Sequence, residues 1–351
     1  MKKVHRQKTA SKKRGSALIL ASTAAVLFSG CGGPASTSGT AGEASAESAS
    51  IAFYTSQPEE DAAKLVAAFN KSHPEIEVET FRSGTEEVVA KIQAEKQGGE
   101  IQADVLLLAD AVTFETLKEQ DLLLSYKSPE LEQIPEELAD PDGTYAGTKV
   151  ISTILAANTE QAAELPTSWK VLTEASSKDS AIMPSPLYSG AAAYNVGVLS
   201  RTDGFGWDYM QNLKNNGVTA IKGNGAVLKA VASGEKTYGM VVDYMVAREQ
   251  AKGSPIELVY PEEGVPVITE PIGIMESAKN AEGAKAFVDF VLSEEGQKLA
   301  AEIGYTPVRE GIDPPEGLKG LEEMKLMSAD LKTLTAEREA DKQKFTEIFG
   351  N

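Results

Sequence analysis

The sequence predicts an α/β protein built from two lobes, and two observations carry that prediction. Strand-like and helix-like segments alternate as βαβαβ within about sixty residues from Ile51, which is typical of a parallel sheet covered by helices. A second alternation of the same kind begins near Ala181. A chain of 351 residues is long enough for two such units.

The first alternation follows from local patterns. IAFYTS is a strand-type run, and the next segment, QPEEDAAKLVAAFNKSHP, carries apolar residues at helical spacing. IEVETF alternates like a strand. SGTEEVVAKIQAEKQGG predicts a helix that starts at Ser83 or Thr85 and ends at Gly98-Gly99. ADVLLLAD is a continuous apolar run, as in a strand buried on both faces.

The second alternation is longer. TKVISTILAANTE predicts a long strand, AIMPSP a second strand, and a helix should begin at Gly190. FGWDYMQNLKNNG, NGAVLKAVASGE and MVAREQAKG predict helices, separated by the strands VTAIKG and YGMVVDY. IELVYPEEGVPVITEPIGIM carries two strand-like pieces, and helices follow to the C-terminus. We expect the chain to cross between the lobes near 157–165 and 258–268, which leaves a hinged cleft.

The N-terminus predicts export. Residues 1–30 hold seven Lys or Arg and no Asp or Glu, and they include GSALILASTAAVLFSG, which is too short to span a bilayer. This signal peptide ends at Cys31, the only cysteine of the chain. The small residues before it resemble a bacterial lipoprotein signal in which Cys31 is lipidated, although Phe28 stands where that pattern usually has Leu. The alternative is an ordinary signal peptide with an incidental cysteine.

The rest of the chain divides by composition and pattern. Residues 31–50 are small and polar and predict a flexible tether. We expect residues 51–157 to form the first part of lobe 1 and 158–258 to form lobe 2. Residues 259–351 should then return to lobe 1 and add the C-terminal helices.

Charge excludes one class of partner. The formal net charge is −18, but without the basic leader 27 basic side chains face 52 acidic ones, a balance of −25. Binding nucleic acid requires clustered cations that neutralise phosphates, and a body this acidic is a poor candidate for it.

The stretch SPLYSGAAAYN at 185–195 places a serine and a glycine where a strand gives way to a helix. A catalytic serine needs a positioned base, usually His. The chain has two histidines, of which His5 lies in the leader and His73 in a turn before Pro, and the GxSxG elbow is absent. No set of nucleophile, base and acid can be assembled, so the sequence favours binding over catalysis.

An anion cradle is the alternative use of this stretch. The first N–H groups of a helix lack internal acceptors and carry partial positive charge, so phosphate, phosphonate, sulfate or carboxylate binds there readily. One such device per lobe is predicted, with a third donor loop at the end of the first strand. The candidates are Ser83, Gly84 and Thr85, then Ser189, Gly190 and Ala191, and finally Thr55 and Ser56. The plainer interpretation is that Ser83 and Ser189 are N-caps.

The tyrosines of the second lobe are the candidates for binding a metal, and Asp243 is the candidate for binding a polar tail of the ligand. Ferric iron favours hard oxygen donors such as Tyr phenolates, and the tyrosines of the second lobe are not adjacent: Tyr188, Tyr194, Tyr238 and Tyr244. Asp243-Tyr244 ends the strand YGMVVDY and should face the crevice. There Asp243 either receives an amine or hydroxyl of a ligand or caps the next helix. The sequence predicts neither a resident metal nor a cofactor.

Several segments together resemble the bacterial extracellular solute-binding proteins of ABC importers, in the branch with iron(III)-, 2-aminoethylphosphonate- and hexose-phosphate-binding proteins. They are the lipoprotein-like start, SGTEEVVAKIQAEKQGGEIQADVLLLAD, SPLYSGAAAYN, ASGEKTYGMVVDY and EPIGIMESAKNAEGAKAFVDFVLSEEGQKLAAEIGYTPVRE. The likeness covers roughly residues 50 to 310 and implies a type II periplasmic-binding-protein fold. It also implies a receptor that closes on its solute and delivers it to a membrane permease.

The resemblance also bears on the solute. Ferric binders of the branch carry a tandem Tyr pair where this chain has Val242-Asp243-Tyr244-Met245, and often a His near Tyr54-Thr55-Ser56. The phosphonate and sugar-phosphate binders are more similar, with Ser-Gly turns on the anion and Asp243 toward a polar tail.

We therefore expect a monomeric, lipid-anchored receptor on the extracytoplasmic face of the cell membrane. Its partners would be a small organophosphorus anion and the transmembrane subunits of an ABC permease. Ferric iron is the alternative solute, and an enzyme or sensor on the same fold is the rival function.

Overall fold

The computed structural model describes residues 50–350. The predicted signal peptide and Cys31 lie outside the described residues, as does the predicted tether up to residue 49. Within residues 50–350, none of the helices combines the length and apolarity needed to cross a bilayer.

The alternation predicted from the sequence is confirmed in order and type. The strands are β1 (Ser50–Thr55), β2 (Glu77–Arg82), β3 (Val105–Leu107), β4 (Leu123–Leu124), β5 (Ala146–Gly147), β6 (Lys149–Asn158), β7 (Ala181–Pro184), β8 (Thr219–Ile221), β9 (Tyr238–Val242), β10 (Ile256–Val259), β11 (Val265–Ile268), β12 (Pro271–Met275), β13 (Thr306–Pro307) and β14 (Leu326–Met327). The helices are α1 (Glu59–Ser72), α2 (Thr85–Gly98), α3 (Ala111–Lys118), α4 (Gly190–Leu199), α5 (Gly206–Asn215), α6 (Asn224–Ala232), α7 (Asp243–Ala251), α8 (Ala281–Leu292), α9 (Glu294–Ile303) and α10 (Leu331–Phe349).

Lobe 1 is built on a six-stranded sheet in the order β2-β1-β3-β12-β4, with β5 paired to β12. β1 runs parallel to β2 and β3, whereas β12 runs antiparallel to β3. Helix α8 covers one face, where Phe287 packs against Phe53 of β1 with ring centroids 4.9 Å apart. Both rings are fully buried, so they form part of the lobe 1 core.

Lobe 2 is built on an eight-stranded sheet in the order β14-β11-β6-β9-β7-β8, with β10 and β13 also paired to β6. All ten residues of β6 are buried, as the long apolar run predicts. β7 runs parallel to β8 and β9, so the carboxyl ends of these three strands meet at one edge of the sheet.

The strand pairings place the two crossings at sites other than those the sequence predicted. β5 belongs to lobe 1 and β6 to lobe 2, with Thr148 between them. β11 pairs with β6 and β12 with β3, so the return crossing lies at Thr269-Glu270 and the segment holds three strands where two were expected. An unbroken apolar run such as β6 does not reveal which sheet it joins, and this explains the displacement from 157–165 and 258–268.

The C-terminal helix also differs from the expected return to lobe 1. Leu334 and Phe345 of α10 lie in the same hydrophobic cluster as Val198 of α4 and Met210 of α5. Arg201, just beyond α4, pairs with Asp341 at 2.6 Å. Helix α10 is thus fixed to lobe 2 while one of its faces reaches α2 and α3 of lobe 1.

A buried ion pair joins the two crossings. Lys149 pairs with Glu270, and their side chains are 4% and 6% exposed. The N–H of Thr148 donates to the carbonyl of Thr269 at 2.9 Å, so the crossing segments are also held together through the backbone.

We expect Lys149→Met to lower the free energy of unfolding by about 3 kcal/mol, because it leaves the Glu270 carboxylate buried without its cation. Urea denaturation measures the change. Lys149→Met combined with Glu270→Gln should recover most of the loss. A single-variant loss below about 1 kcal/mol would contradict a hinge held by this pair.

Candidate functional site

A cavity of about 230 Å³ lies between the lobes. It opens beyond the carboxyl ends of β1, β2, β7, β8 and β9, the place where open α/β sheets bind ligands. Its lining is contributed by both lobes and by one crossing residue: Ser56, Pro58, Arg82, Gly84, Thr85 and Ala109 from lobe 1, then Ile151, Tyr188, Ser189, Ala191, Lys222, Gly223, Asn224, Gly225, Ala226, Val242, Tyr244, Met245 and Ile268 from lobe 2, and Glu270.

The first predicted anion turn lies at the start of α2. Gly84 is the N-cap residue and lines the cavity together with Thr85, whose side chain is buried. Ser83 is not among the lining residues, and its hydroxyl donates to Glu87. The first N–H groups of α2 have no acceptor within the helix and carry its positive partial charge.

The second predicted turn lies at the start of α4. Ser189 is the N-cap, and its Oγ accepts from the N–H of Ala192 at 3.3 Å, so the capping interpretation holds for this residue. Ser189 and Ala191 also line the cavity. Capping and ligand contact are therefore compatible at this turn, since the cap uses an oxygen lone pair and the hydroxyl proton is still available to donate.

A third helix start completes the site, and the sequence analysis missed it. Gly223 precedes α6 with φ of 75°, and residues Asn224, Gly225 and Ala226 of its first turn line the cavity. The local signal was the KGNG that follows strand β8, where two glycines flank the strand-to-helix junction. The amide of Asn224 lies 3.4 Å from Ser189 Oγ, which ties the α6 start to the α4 start.

The turns of the two lobes face each other at close range. The N–H of Glu86 donates to the carbonyl of Tyr188 at 3.3 Å, across the gap between α2 and lobe 2. A Cβ at Gly84 would lie 2.5 Å from the Tyr188 ring, and a Cβ at Gly190 would lie 2.9 Å from Thr85 Cγ2. This approach therefore requires glycine at both positions.

Thr55 and Ser56, the two site residues predicted at the end of the first strand, differ in position. Thr55 is fully buried, and its hydroxyl donates to the carbonyl of Leu107 at 2.9 Å, so it serves the fold of lobe 1. Ser56 lines the cavity. Its Oγ accepts from the N–H of Ala109 at 3.1 Å, which leaves the hydroxyl proton for a ligand.

Asp243 and Tyr244 also differ in their position relative to the cavity. Asp243 is buried outside the cavity lining, where it accepts from the Ser152 hydroxyl at 2.5 Å and from the N–H of Tyr244 at 2.8 Å. The expectation that Asp243 contacts a ligand is therefore not supported by its position. Tyr244 lines the cavity and packs on Tyr305 at 4.3 Å. Burial raises the pKa of Tyr244 above its ordinary value.

Charged side chains were also missed as site residues. Arg82 and Lys222 line the cavity as cations, and the Arg82 guanidinium donates to the carbonyl of Gln57 at 2.7 Å. Lys222 lies over the ring of Tyr188 at 4.4 Å. Glu270 is the carboxylate of the lining, and Lys149 neutralises it. The cavity thus joins cations and helix starts with a compensated carboxylate.

Comparison with known proteins identifies the family. The model of the bacterial extracellular solute-binding proteins matches residues 64–325, which is most of the chain. The chain belongs to this family.

Relatives of this solute-binding protein carry different functional names. Iron uptake protein A1 of Synechocystis sp. is 26% identical, over 82% of this chain and 84% of its own. A probable ABC transporter periplasmic-binding protein of Sinorhizobium fredii is 25% identical, over 66% of this chain and 67% of its own.

A solved structure establishes the fold of this solute-binding protein. The periplasmic binding protein AfuA of Actinobacillus pleuropneumoniae, solved with exogenous fructose-6-phosphate bound, has a TM-score of 0.80 and 26% identity. The match covers 85% of this chain and 98% of AfuA. The predicted type II periplasmic-binding-protein fold is confirmed by this likeness.

The buried carboxyl of Asp243 makes the stability of the protein depend on pH. Burial raises the pKa of Asp243 to about 6, although the Ser152 hydroxyl and the Tyr244 N–H lower it. The folded protein then binds this proton more tightly than the unfolded chain, so this carboxyl makes stability fall as pH rises through about 4 to 6. Relative to wild type, we expect Asp243→Asn to raise the free energy of unfolding by about 2 kcal/mol more at pH 7 than at pH 4, from a shift of about two pKa units that this pH window spans in large part.

Urea denaturation of both proteins at the two pH values measures this difference, and other carboxyls cancel in the comparison. Glu282→Gln, at an exposed glutamate, is the control and should show little pH-dependent difference. An equal effect of Asp243→Asn at pH 4 and pH 7 would contradict a buried carboxyl of raised pKa.

Proposed function

We propose that this protein is the solute receptor of an ABC importer and that it captures a small phosphate-ester or phosphonate anion between its lobes. The observation that carries the proposal is that the first turns of α2, α4 and α6 all line one cavity. Each helix start offers N–H groups and positive partial charge to an anionic group. Three such starts at one place match the several oxygens of a phosphoryl group.

Size and charge support an organic anion. A cavity of about 230 Å³ holds far more than one water, whose share of liquid volume is about 30 Å³. A tetrahedral anion can occupy the helix starts while its organic portion fills the rest. Arg82 and Lys222 add cations to the lining. The lining also includes Glu270 and the ring of Tyr244, which suit hydroxyl groups and an apolar carbon face.

Ferric iron is the second candidate, favoured by the name of the Synechocystis relative. The cavity lining holds three candidate oxygen ligands, Tyr188, Tyr244 and Glu270. Iron binding would require the buried Tyr244 to lose its proton against a raised pKa. It would also require Glu270 to leave Lys149. Because iron binding requires both of these unfavourable changes and binding of an organic anion requires neither, the cavity is better suited to the organic anion.

A thermal-shift screen tests the solute class. The panel is fructose 6-phosphate, 2-aminoethylphosphonate, inorganic phosphate and ferric citrate, because a ligand of the native state raises the melting temperature. At a hundredfold excess over Kd the gain is about 2.7 kcal/mol, a shift of several degrees. Shifts with the phosphoryl compounds support the proposal. A shift with ferric citrate alone, with a visible tyrosinate-to-iron band, would replace it by the iron function.

We infer capture without turnover. Mass spectrometry of a compound that gives a shift, after prolonged incubation with stoichiometric protein, should return it unchanged. Appearance of a cleaved or transferred product would favour the rival enzyme function.

Substitution of Gly84 tests whether the close approach of the lobes is required for binding. We expect Gly84→Ala to weaken binding of the compound that gives a shift at least tenfold, because its Cβ would lie 2.5 Å from the Tyr188 ring and prevent the two lobes from approaching. Isothermal titration calorimetry measures the affinity. Gly98→Ala, in the same helix with no atom near its Cβ position, is the matched control and should bind normally. Equal affinity of the two variants would count against this site.

Attachment to the membrane is proposed from the sequence. We propose that Cys31 is lipidated, that the mature protein is a monomer tethered to the extracytoplasmic face, and that it delivers solute to the permease subunits there. Cys31→Ser should move the protein from the membrane fraction to the soluble extracytoplasmic fraction. Retention of the variant on the membrane would contradict the lipid anchor.

A further inference from the structure

Helix α2 presents a charge problem at the proposed anion site. Its first turn carries Glu86 and Glu87, directly after the cavity-lining Gly84 and Thr85. Carboxylates at a helix N-terminus use the same positive partial charge that an anionic solute would use. Two uncompensated glutamates beside the site would therefore oppose capture of an anion.

Both glutamates obtain their cations from lobe 2. Arg338 and Lys342 of α10 each pair with Glu86 at 2.7 Å, one on each carboxylate oxygen. Lys222, between β8 and α6, pairs with Glu87 at 2.8 Å. Although burial raises it, the pKa of Glu86 is held below its ordinary value by Arg338 and Lys342, so this carboxylate is charged and compensated.

Arg338 makes a second connection to lobe 1. Its two terminal nitrogens lie 3.1 and 3.0 Å from the oxygens of Asp110, the N-cap of α3. Asp110 is fully buried, and its Oδ2 lies 2.8 Å from the Cβ position of Gly190 in the lobe 2 turn. One guanidinium therefore binds carboxylates that flank both turns of the proposed anion site.

Helix α10, which carries Arg338 and Lys342, is part of lobe 2. Asp341 pairs with Arg201 beyond α4, and Leu334 Cδ2 lies 2.8 Å from the Cβ position of Gly197 within α4. Phe345 packs in the lobe 2 cluster. Because α10 is fixed to lobe 2 and its partners Glu86 and Asp110 belong to lobe 1, these pairs form across the cleft.

We propose that Arg338 is a positioning residue of the anion site, which with Lys342 and Lys222 neutralises the carboxylates at the start of α2 when the lobes close. This inference rests on the proposed function. Closure then does two things at once: it aligns the helix starts and removes the negative charge that would repel the solute. An anion and the closed arrangement stabilise each other, since each is more favourable in the presence of the other.

The test compares charge variants of the full chain. With fructose 6-phosphate as the probe, we expect Arg338→Gln to raise Kd at least tenfold by calorimetry. Lys298→Gln removes the same charge from an exposed pair within α9 and should change Kd less than twofold. Arg338→Lys should retain more affinity than Arg338→Gln because it keeps the charge.

A rescue experiment separates charge from packing. Glu86→Gln in the Arg338→Gln background should recover much of the lost affinity, because it removes the uncompensated carboxylate. A role of Arg338 in packing α10 alone would give no such recovery. Since Arg338 is nearly buried, Lys342→Gln is the second variant, and it should weaken binding about threefold even if Arg338→Gln fails to fold.

Small-angle scattering without solute supplies an independent readout. We expect Arg338→Gln, or Lys342→Gln if the former fails to fold, to enlarge the radius of gyration relative to wild type, because the pairs that hold the lobes together are lost. Unchanged scattering together with unchanged affinity would overturn the role of Arg338 while leaving the proposed function in place. Absence of binding to any phosphoryl compound by wild type would overturn both.

Discussion

The candidate site depends on one constraint, the close approach of two backbones across the cleft. Gly84 at the start of α2 and Gly190 at the start of α4 leave no room for a side chain against Tyr188 and Thr85. The starts of α2 and α4 can then lie close together across the cleft, where the N–H of Glu86 is bound by the Tyr188 carbonyl and the N–H of Ala192 by Ser189 Oγ. Parallel strands create this arrangement, because β2 and β7 both end at the cleft and each leads into a helix.

The acidic body of the protein is compatible with an anionic solute, because the acidic side chains near the cavity are paired with cations. A balance of −25 outside the leader acts over distances that salt screens beyond about 8 Å, whereas hydrogen-bond donors act at contact. Near the cavity the carboxylates are individually compensated: Lys149 pairs with Glu270, and Arg338 with Glu86. Local pairing thus decides the electrostatics of the site, and the net charge does not.

The features that could be predicted from the sequence are those that depend on neighbouring residues. Strand and helix order and the turns at Gly84 and Ser189 follow from periodicity and helix-start chemistry, since each depends on neighbouring residues. The crossings were displaced because the apolar run of β6 is equally compatible with either sheet. The pair of Glu86 with Arg338 spans 252 positions, and no local pattern connects residues so far apart. Asp243 is neither a cavity-lining residue nor the N-cap of α7; it accepts from Ser152, 91 positions away, a partner that no local pattern indicates.

The cavity is lined both by backbone N–H groups and by side chains, and the two differ in how much of a solute they can recognise. Backbone N–H groups at helix starts recognise any group with several anionic oxygens, so this half of the site carries little information about the rest of the molecule. For the proposed anion, discrimination would come from lining side chains such as Tyr244, which offers an aromatic face, and Glu270, which offers an acceptor. Lys149 and Gln57 both donate to Oε2 of Glu270. An organic solute whose hydroxyl or amine donates to this carboxylate would therefore be preferred over a bare inorganic anion.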